Sequence, residues 1–287
     1  MNRSAGVAEV RVPQSDRNPD FAFIPFPTSL AALRWLRHMH RREFGRDRPL
    51  SLHIIGESGM GKSRILSHYT ARYEGKERDT SGYRPRHIVL VEAPETGSIR
   101  TLCERLTHEC LPGFEPRRST QYVERIGAVL LHSGVRQVLI DEAGNLLNGG
   151  RLATQQTLAT LKRLTNLGLT LGIATTENMR NVLAADEQLH SRFRQVHLAR
   201  WQESDELRIF LAGLEAQLPL PRPSHLSSQR VVRWLLAHRY NTTGEIVNLI
   251  CDATSRAQAR GDSALTLDTL QEARDDPMPP PRPLEEG

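Results

Sequence analysis

Residues 56–63 read GESGMGKS, a match to GxxxxGK[ST] that stands between the apolar run Leu52–Ile55 and an amphipathic stretch opening at Lys62. A glycine-rich turn between a strand and a helix is the context in which such a sequence binds phosphates. Gly56, Gly59 and Gly61 allow the backbone to close around an anion, and Glu57, Ser58 and Met60 complete the turn. Its N–H groups and the N-terminus of the following helix then face the negative charge. Lys62 is placed to bridge the β- and γ-phosphates and Ser63 to ligate Mg²⁺, so ATP with Mg²⁺ is the expected cofactor.

A second group of residues would act on the same ligand. The apolar run Val138–Ile140 ends in Asp141 and Glu142. At the C-terminal end of a strand, Asp141 would hold Mg²⁺ directly or through water, while Glu142 would polarise the attacking water. Hydrolysis, and not binding alone, is therefore expected. The run from Leu169 to Ala174 ends in Thr175 and Thr176. Thr175 is the first candidate, and Thr176 the second, for a hydroxyl that meets the lytic water or the γ-phosphate; threonines at strand ends also serve simply as turn residues. Arg192, in the run from Leu189 to Arg194, is the candidate arginine finger, offsetting transition-state charge at the site of a neighbouring copy, with Arg194 read as surface charge.

These residues need a sheet to carry them. From Leu50 onward, short apolar runs alternate with amphipathic stretches, the pattern of a mainly parallel sheet with crossover helices. Expected strands are Leu52–Ile55, His87–Glu92, Gln137–Ile140, Thr170–Ala174 and Val196–Leu198, with helices at Lys62–Tyr73, Ser98–Glu109, Thr120–His132, Ala153–Asn166 and Glu177–Ala184. Ahead of them, Leu30, Leu33, Leu36 and Met39 fall near helical spacing, with Thr28 or Ser29 as the cap. After Trp201 strand-like runs stop, and helices are expected at Glu203–Ala216, Ser227–His238, Glu245–Gln258 and Leu267–Ala273. The division is an arm and helix over 1–45, an α/β nucleotide-binding core of about five mainly parallel strands over 46–200, a small all-helical lid over 201–275 and a Pro-rich, disordered tail over 276–287.

Composition sets the limits. A chain of 287 residues, 38% hydrophobic and 25% charged, accommodates one α/β domain and a helical appendage. It contains no apolar stretch long enough for a membrane span and no signal-peptide pattern, which makes the cytoplasm the expected location. Cys103, Cys110 and Cys251 show no CxxC and suggest no disulfide framework, and Cys103, His108 and Cys110 fit no familiar metal-ligand spacing. Of the 38 basic residues only Lys62, Lys76 and Lys162 are lysine, and the net charge is +5. Arginine suits bidentate phosphate contacts and a polyanionic partner, although GC-rich codon usage produces the same bias.

Taken in order, the phosphate loop, the Walker B strand, the polar strand end, the SRF triplet and the helical lid resemble the AAA+ superfamily. More narrowly, the chain looks like the TniB/TnsC group of transposition ATPases. The carriers are FIPFPTSLAALRWLRHM, VLIDEAGNLLNGG, LGIATTENMRNVLAADEQLHSRF and NTTGEIVNLICDA, spread over residues 23–255. The resemblance implies an ATP-dependent regulator that assembles as a homo-oligomeric ring or filament on double-stranded target DNA. It implies further that the assembly recruits or stimulates a DDE transposase, with a TniQ-like adaptor as another partner. Basic residues on core loops would face the DNA backbone, and Arg100 and Arg151 are the candidates. The lid departs from the wider pattern, since residues 242–248 read TTGEIVN and offer no arginine at the usual second-sensor place; Arg239 is a nearby substitute. The alternatives are a helicase-loader-like ATPase and a non-hydrolysing scaffold in which ATP joins the subunits.

Overall fold

The protein is described here by a computed structural model, which covers residues 21–73, 87–111 and 122–277. The N-terminal arm before residue 21 and the Pro-rich tail from residue 278 lie outside the described residues. Five parallel strands form the centre: β1 Ser51–Gly56, β2 Ile88–Glu92, β3 Gln137–Asp141, β4 Thr170–Thr175 and β5 Phe193–Leu198, in the spatial order β2-β3-β4-β1-β5. Every residue of β1 and β4 is buried, as expected of central parallel strands covered on both faces. The edge strand β5 is only partly covered, exposing Arg194, Gln195 and His197. It is twice as long as its apolar run suggests, because Phe193, Arg194 and Gln195 are also held by pairing with β1, which runs from Ser51 opposite Phe193 to Gly56 opposite Leu198.

Helices cover both faces. On one, Leu52, Ile54, Leu139 and Ala174 pack with α1 (Pro27–His38), α2 (Lys62–Tyr73) and the lid. On the other, Ile140, Leu171 and Ile173 pack with residues of α3 (Ile99–Cys110), α4 (Tyr122–His132), α5 (Gly150–Asn166), α6 (Glu177–Ala184) and α7 (Glu187–Arg192). The buried face of α1 is Ser29, Ala32 and Leu36, whereas Leu30 stays exposed. Thr28 and Ser29 lie inside that helix. Ser29 caps it from the first turn, its Oγ accepting from the Phe26 amide at 2.9 Å, and Glu206 of the lid accepts from the Thr28 amide at 2.6 Å.

Four helices follow the sheet: α8 (Asp205–Glu215), α9 (Gln229–Ala237), α10 (Thr243–Arg260) and α11 (Leu267–Asp275). Each starts at a Ser or Thr whose side chain accepts from a first-turn amide, namely Ser204, Ser228, Thr242 and Thr266. Trp201 stacks on Phe210 at 5.2 Å and meets the edge of Phe26 at 5.1 Å, fastening the N-terminal segment to the lid. Among the described residues, no helix is long and apolar enough to cross a membrane.

Candidate nucleotide site

β1 ends at Gly56 and the chain turns through Gly59 (φ 77°) and Gly61 (φ 87°), left-handed values that favour glycine. At Gly56 the limit is space, for a Cβ there would lie 2.9 Å from the Leu198 carbonyl oxygen. Met60, 2% exposed, anchors the loop in the core. Lys62 opens α2 and is buried, its Nζ donating to the carbonyls of Gly56 and Glu57, each at 2.9 Å. Ser63 is exposed on the first turn of α2. Left-handed glycines, a crowded strand end and a lysine drawn onto the loop make the turn a fit for a phosphate chain, with Ser63 available to a divalent cation.

Because the strands are parallel, the ends of β3, β4 and β1 share one rim, about 5 Å apart from strand to strand. Asp141 and Glu142 thus come within about 10 Å of the phosphate loop, two strand spacings away. Asp141 Oδ1 accepts from the Glu142 amide at 2.9 Å. Glu142 is left-handed (φ 47°, ψ 34°), an unfavourable conformation for a residue with a side chain. A strained carboxylate at a strand end is the kind of outlier that collects at functional sites.

Thr175 requires a correction. Strand alternation puts its side chain with Ile173, on the face opposite Leu139 and Asp141. It is wholly buried, with Oγ1 2.6 Å from His53 Nε2 and donating to the Thr176 carbonyl at 2.7 Å. With that proton committed, His53 donates from Nε2, and its Nδ1 is a buried atom without a hydrogen-bond partner. Burial, followed by nearby His197 and Arg180, pushes the His53 pKa down to about 3 and keeps the ring neutral. Thr176, the second candidate, lies just past the strand as the N-cap residue of α6; it is half-buried, and its hydroxyl donates to Asn178 Oδ1 at 2.9 Å.

Arg192 lies at the other end of the sheet. It closes α7 just before Phe193, which pairs with Ser51 at the start of β1, so about 16 Å of strand separates it from its own phosphate loop. Its guanidinium is buried, Nη1 donating to Thr165 Oγ1 at 2.5 Å and to Asn166 Oδ1 at 2.9 Å. Arg194 is the exposed arginine of the pair. Arg100 and Arg151 are exposed in the first turns of α3 and α5, whose leading loops pack together: a Cβ on Gly97 would come within 2.9 Å of the Gly149 nitrogen. Arg100 also pairs with Glu104 at 2.9 Å.

Two features escaped the sequence reading. A cleft of about 240 Å³ beside the loop is lined by Phe21, Phe23, Ile24 and Phe26, by Gly61 and Ile65, and by Phe210 and Val247 of the lid. An apolar slot with aromatic walls next to a phosphate turn suits a nucleobase. The run FAFIPF ahead of α1 was its only signal in the sequence. A slightly larger cleft of about 290 Å³, in the lid around Arg230 and Asp268, shares no residue with the loop. The other feature is Arg200, which follows β5 and binds Glu57 of the loop.

A family model described as Bacterial TniB protein matches residues 17–203. No curated protein matches the chain. Among solved structures, the chain is similar to the Aeropyrum pernix ORC1 protein in complex with DNA, with a TM-score of 0.65 at 16% identity over 90% of this chain and 67% of that one. Similar too are the A. pernix ORC2 protein in its ADPNP-ADP complexes (0.63, 17%, 92% and 73%) and domain III of the Thermotoga maritima replication initiation protein DnaA (0.54, 17%, 90% and 96%). At such identities the likeness establishes the fold alone, a parallel α/β sheet followed by a helical segment.

Proposed function

The chain belongs to the bacterial TniB family, and from that premise we propose that it is an ATP-dependent, DNA-binding regulator of transposition. It assembles as a ring or filament on target DNA, in the cytoplasm, and recruits or stimulates a DDE transposase, with a TniQ-like adaptor as a further partner. The family match carries the reading, since it spans the phosphate loop, both acidic residues, the strand-tip threonines and Arg192. The AAA+ fold, and a neighbour of that fold solved with DNA, support it.

In this reading the base occupies the Phe21–Phe26 cleft and the phosphates lie along Gly56–Lys62. Ser63 and Asp141 hold Mg²⁺, which offsets charge on the phosphates during transfer. Glu142 takes the proton of the attacking water, and Thr176 orients that water or the γ-phosphate, while Thr175 holds the Thr176 carbonyl. Arg192 serves the site of a neighbouring copy once it exchanges its bonds to Thr165 and Asn166 for phosphate contacts. Arg100 and Arg151 meet the DNA backbone, which gives salt-dependent binding with little sequence preference.

Electron microscopy of the purified protein with duplex DNA, under ATP, a slowly hydrolysed analogue, ADP or no nucleotide, tests this directly. Nucleotide-dependent rings or filaments around DNA are expected. Absence of any DNA-bound assembly in every condition refutes the reading. Glu142→Gln should retain assembly and lose turnover; a wild type without turnover even with DNA and transposase would leave only the scaffold role.

A further inference from the structure

The lid carries no arginine in residues 242–248, yet it is fastened to the phosphate loop at several points. The Gly244 amide, in the first turn of α10, donates to the Gly59 carbonyl at 2.8 Å. A helix leaves its first amides without intrahelical partners, so the loop here completes the hydrogen bonding of the lid helix. The Thr243 hydroxyl accepts from Trp201 Nε1 at 3.1 Å and lies 3.5 Å from the Met60 carbonyl. Arg200 joins the two sides. Its Nε donates to Glu57 Oε2 at 3.0 Å, Nη2 reaches the same oxygen, and Nη1 donates to Asn241 Oδ1 at 2.6 Å. Asn241 in turn precedes the α10 cap, and its carbonyl accepts from the Trp201 amide at 2.7 Å. The Arg200 hydrogen bond is the main reason the Glu57 carboxyl is held below its ordinary pKa.

We propose that Arg200 is a positioning residue that couples the lid to the phosphate loop, gripping Glu57 on the loop and Asn241 at the root of α10 with one guanidinium. Loop shape and lid docking then form a single equilibrium. A nucleotide that favours the closed loop favours the docked lid, and a docked lid raises nucleotide affinity by the same factor. Arginine is suited to this because its rigid fork presents donors in two directions; a lysine ammonium keeps the charge but cannot hold both acceptors in that geometry. Arg239, the substitute named from sequence, is exposed and follows α9.

The proposal rests on the nucleotide-binding reading, and the experiment separates the two. Full-length wild type, Arg200→Ala, Arg200→Lys, Glu57→Gln and the Arg200→Ala/Glu57→Gln double variant are titrated with a fluorescent ATP analogue in Mg²⁺. Hydrogen exchange is followed in peptides covering 57–61 and 241–246, with and without nucleotide. Both alanine and glutamine singles should bind about two- to fivefold more weakly, the range of an exposed ion pair. The double variant should lose no more than either single, and Arg200→Lys should behave like Arg200→Ala. Nucleotide should slow exchange at 241–246 in the wild type and do so less in the variants.

Unchanged affinity in both singles, fully additive losses, full rescue by lysine, or exchange at 241–246 indifferent to Arg200→Ala would each overturn the coupling. Losses that merely follow a fall in the melting temperature of the nucleotide-free chain would make Arg200 a structural residue and overturn it too. A wild type that binds no nucleotide refutes the functional reading itself.

Discussion

Glu142 offers a case in which stability and activity should move in opposite directions. Its backbone sits at φ 47°, ψ 34°, and the left-handed conformation costs a residue with a Cβ about 1–2 kcal/mol. Glycine escapes that cost but gives up about 0.5–1 kcal/mol through the greater freedom of its unfolded chain. The carboxylate is not in the core, and the hydrogen bond to Asp141 Oδ1 comes from the backbone amide, so it survives substitution. Glu142→Gly should therefore be more stable than wild type by roughly 0.5–1 kcal/mol. For a protein of this size that is a rise of about 1–4 °C in melting temperature. Glu142→Gln keeps the strained geometry and should melt with the wild type, while Glu142→Asn, which tolerates the left-handed region, should fall between them. Thermal and urea unfolding of the nucleotide-free chains, beside ATP turnover, measure both quantities. All three variants should lose hydrolysis. If Glu142→Gly proves less stable than Glu142→Gln, the backbone there is not strained, and the argument from a stressed strand end fails.

Three further outcomes follow from buried contacts. His53 is neutral in the folded chain with a pKa near 3, whereas the unfolded ring takes up its proton near the ordinary 6.5. Its folded pKa is depressed, so its contribution is complete above pH 6.5 and declines as the pH falls toward 3, with about 2–3 kcal/mol gone by pH 4.5; melting curves at pH 7 and 4.5 should show His53→Gln with a shallower loss, the remainder belonging partly to His40, held near 4 by burial and by Arg136. Arg192→Ala breaks buried bonds to Thr165 and Asn166 and should cost about 1.5–3 kcal/mol in urea unfolding, whereas the exposed Arg194→Ala should cost under about 0.5 kcal/mol. If Arg192 also serves a neighbouring site, mixing Arg192→Ala with Lys62→Ala subunits should restore part of the ATP turnover. Gly56→Ala drives a Cβ to 2.9 Å from the Leu198 carbonyl and should destabilise the chain by about 1–3 kcal/mol while weakening nucleotide binding, both visible in one melting experiment with and without ATP.

The glycine-rich turn at Gly56–Ser63, the position of Asp141 and Glu142 at a strand end and the five strands along the chain were legible in the sequence. Each is a run of neighbouring residues whose chemistry or apolar pattern needs no distant partner to be recognised. Other features depended on which faces the fold brings together. Thr175 and Thr176 are adjacent in sequence, and only the end of β4 between them sends one to His53 and leaves the other at the head of α6. Arg192 reads as a free finger until the C-terminal end of α5 covers it. The first half of β5 has Phe193 as its one apolar residue, too little to mark a strand, and pairing with β1 makes it one. Arg200 and Glu57 stand 143 residues apart; no local pattern relates them, and the parallel pairing of β5 with β1 brings the end of one strand beside the loop of the other.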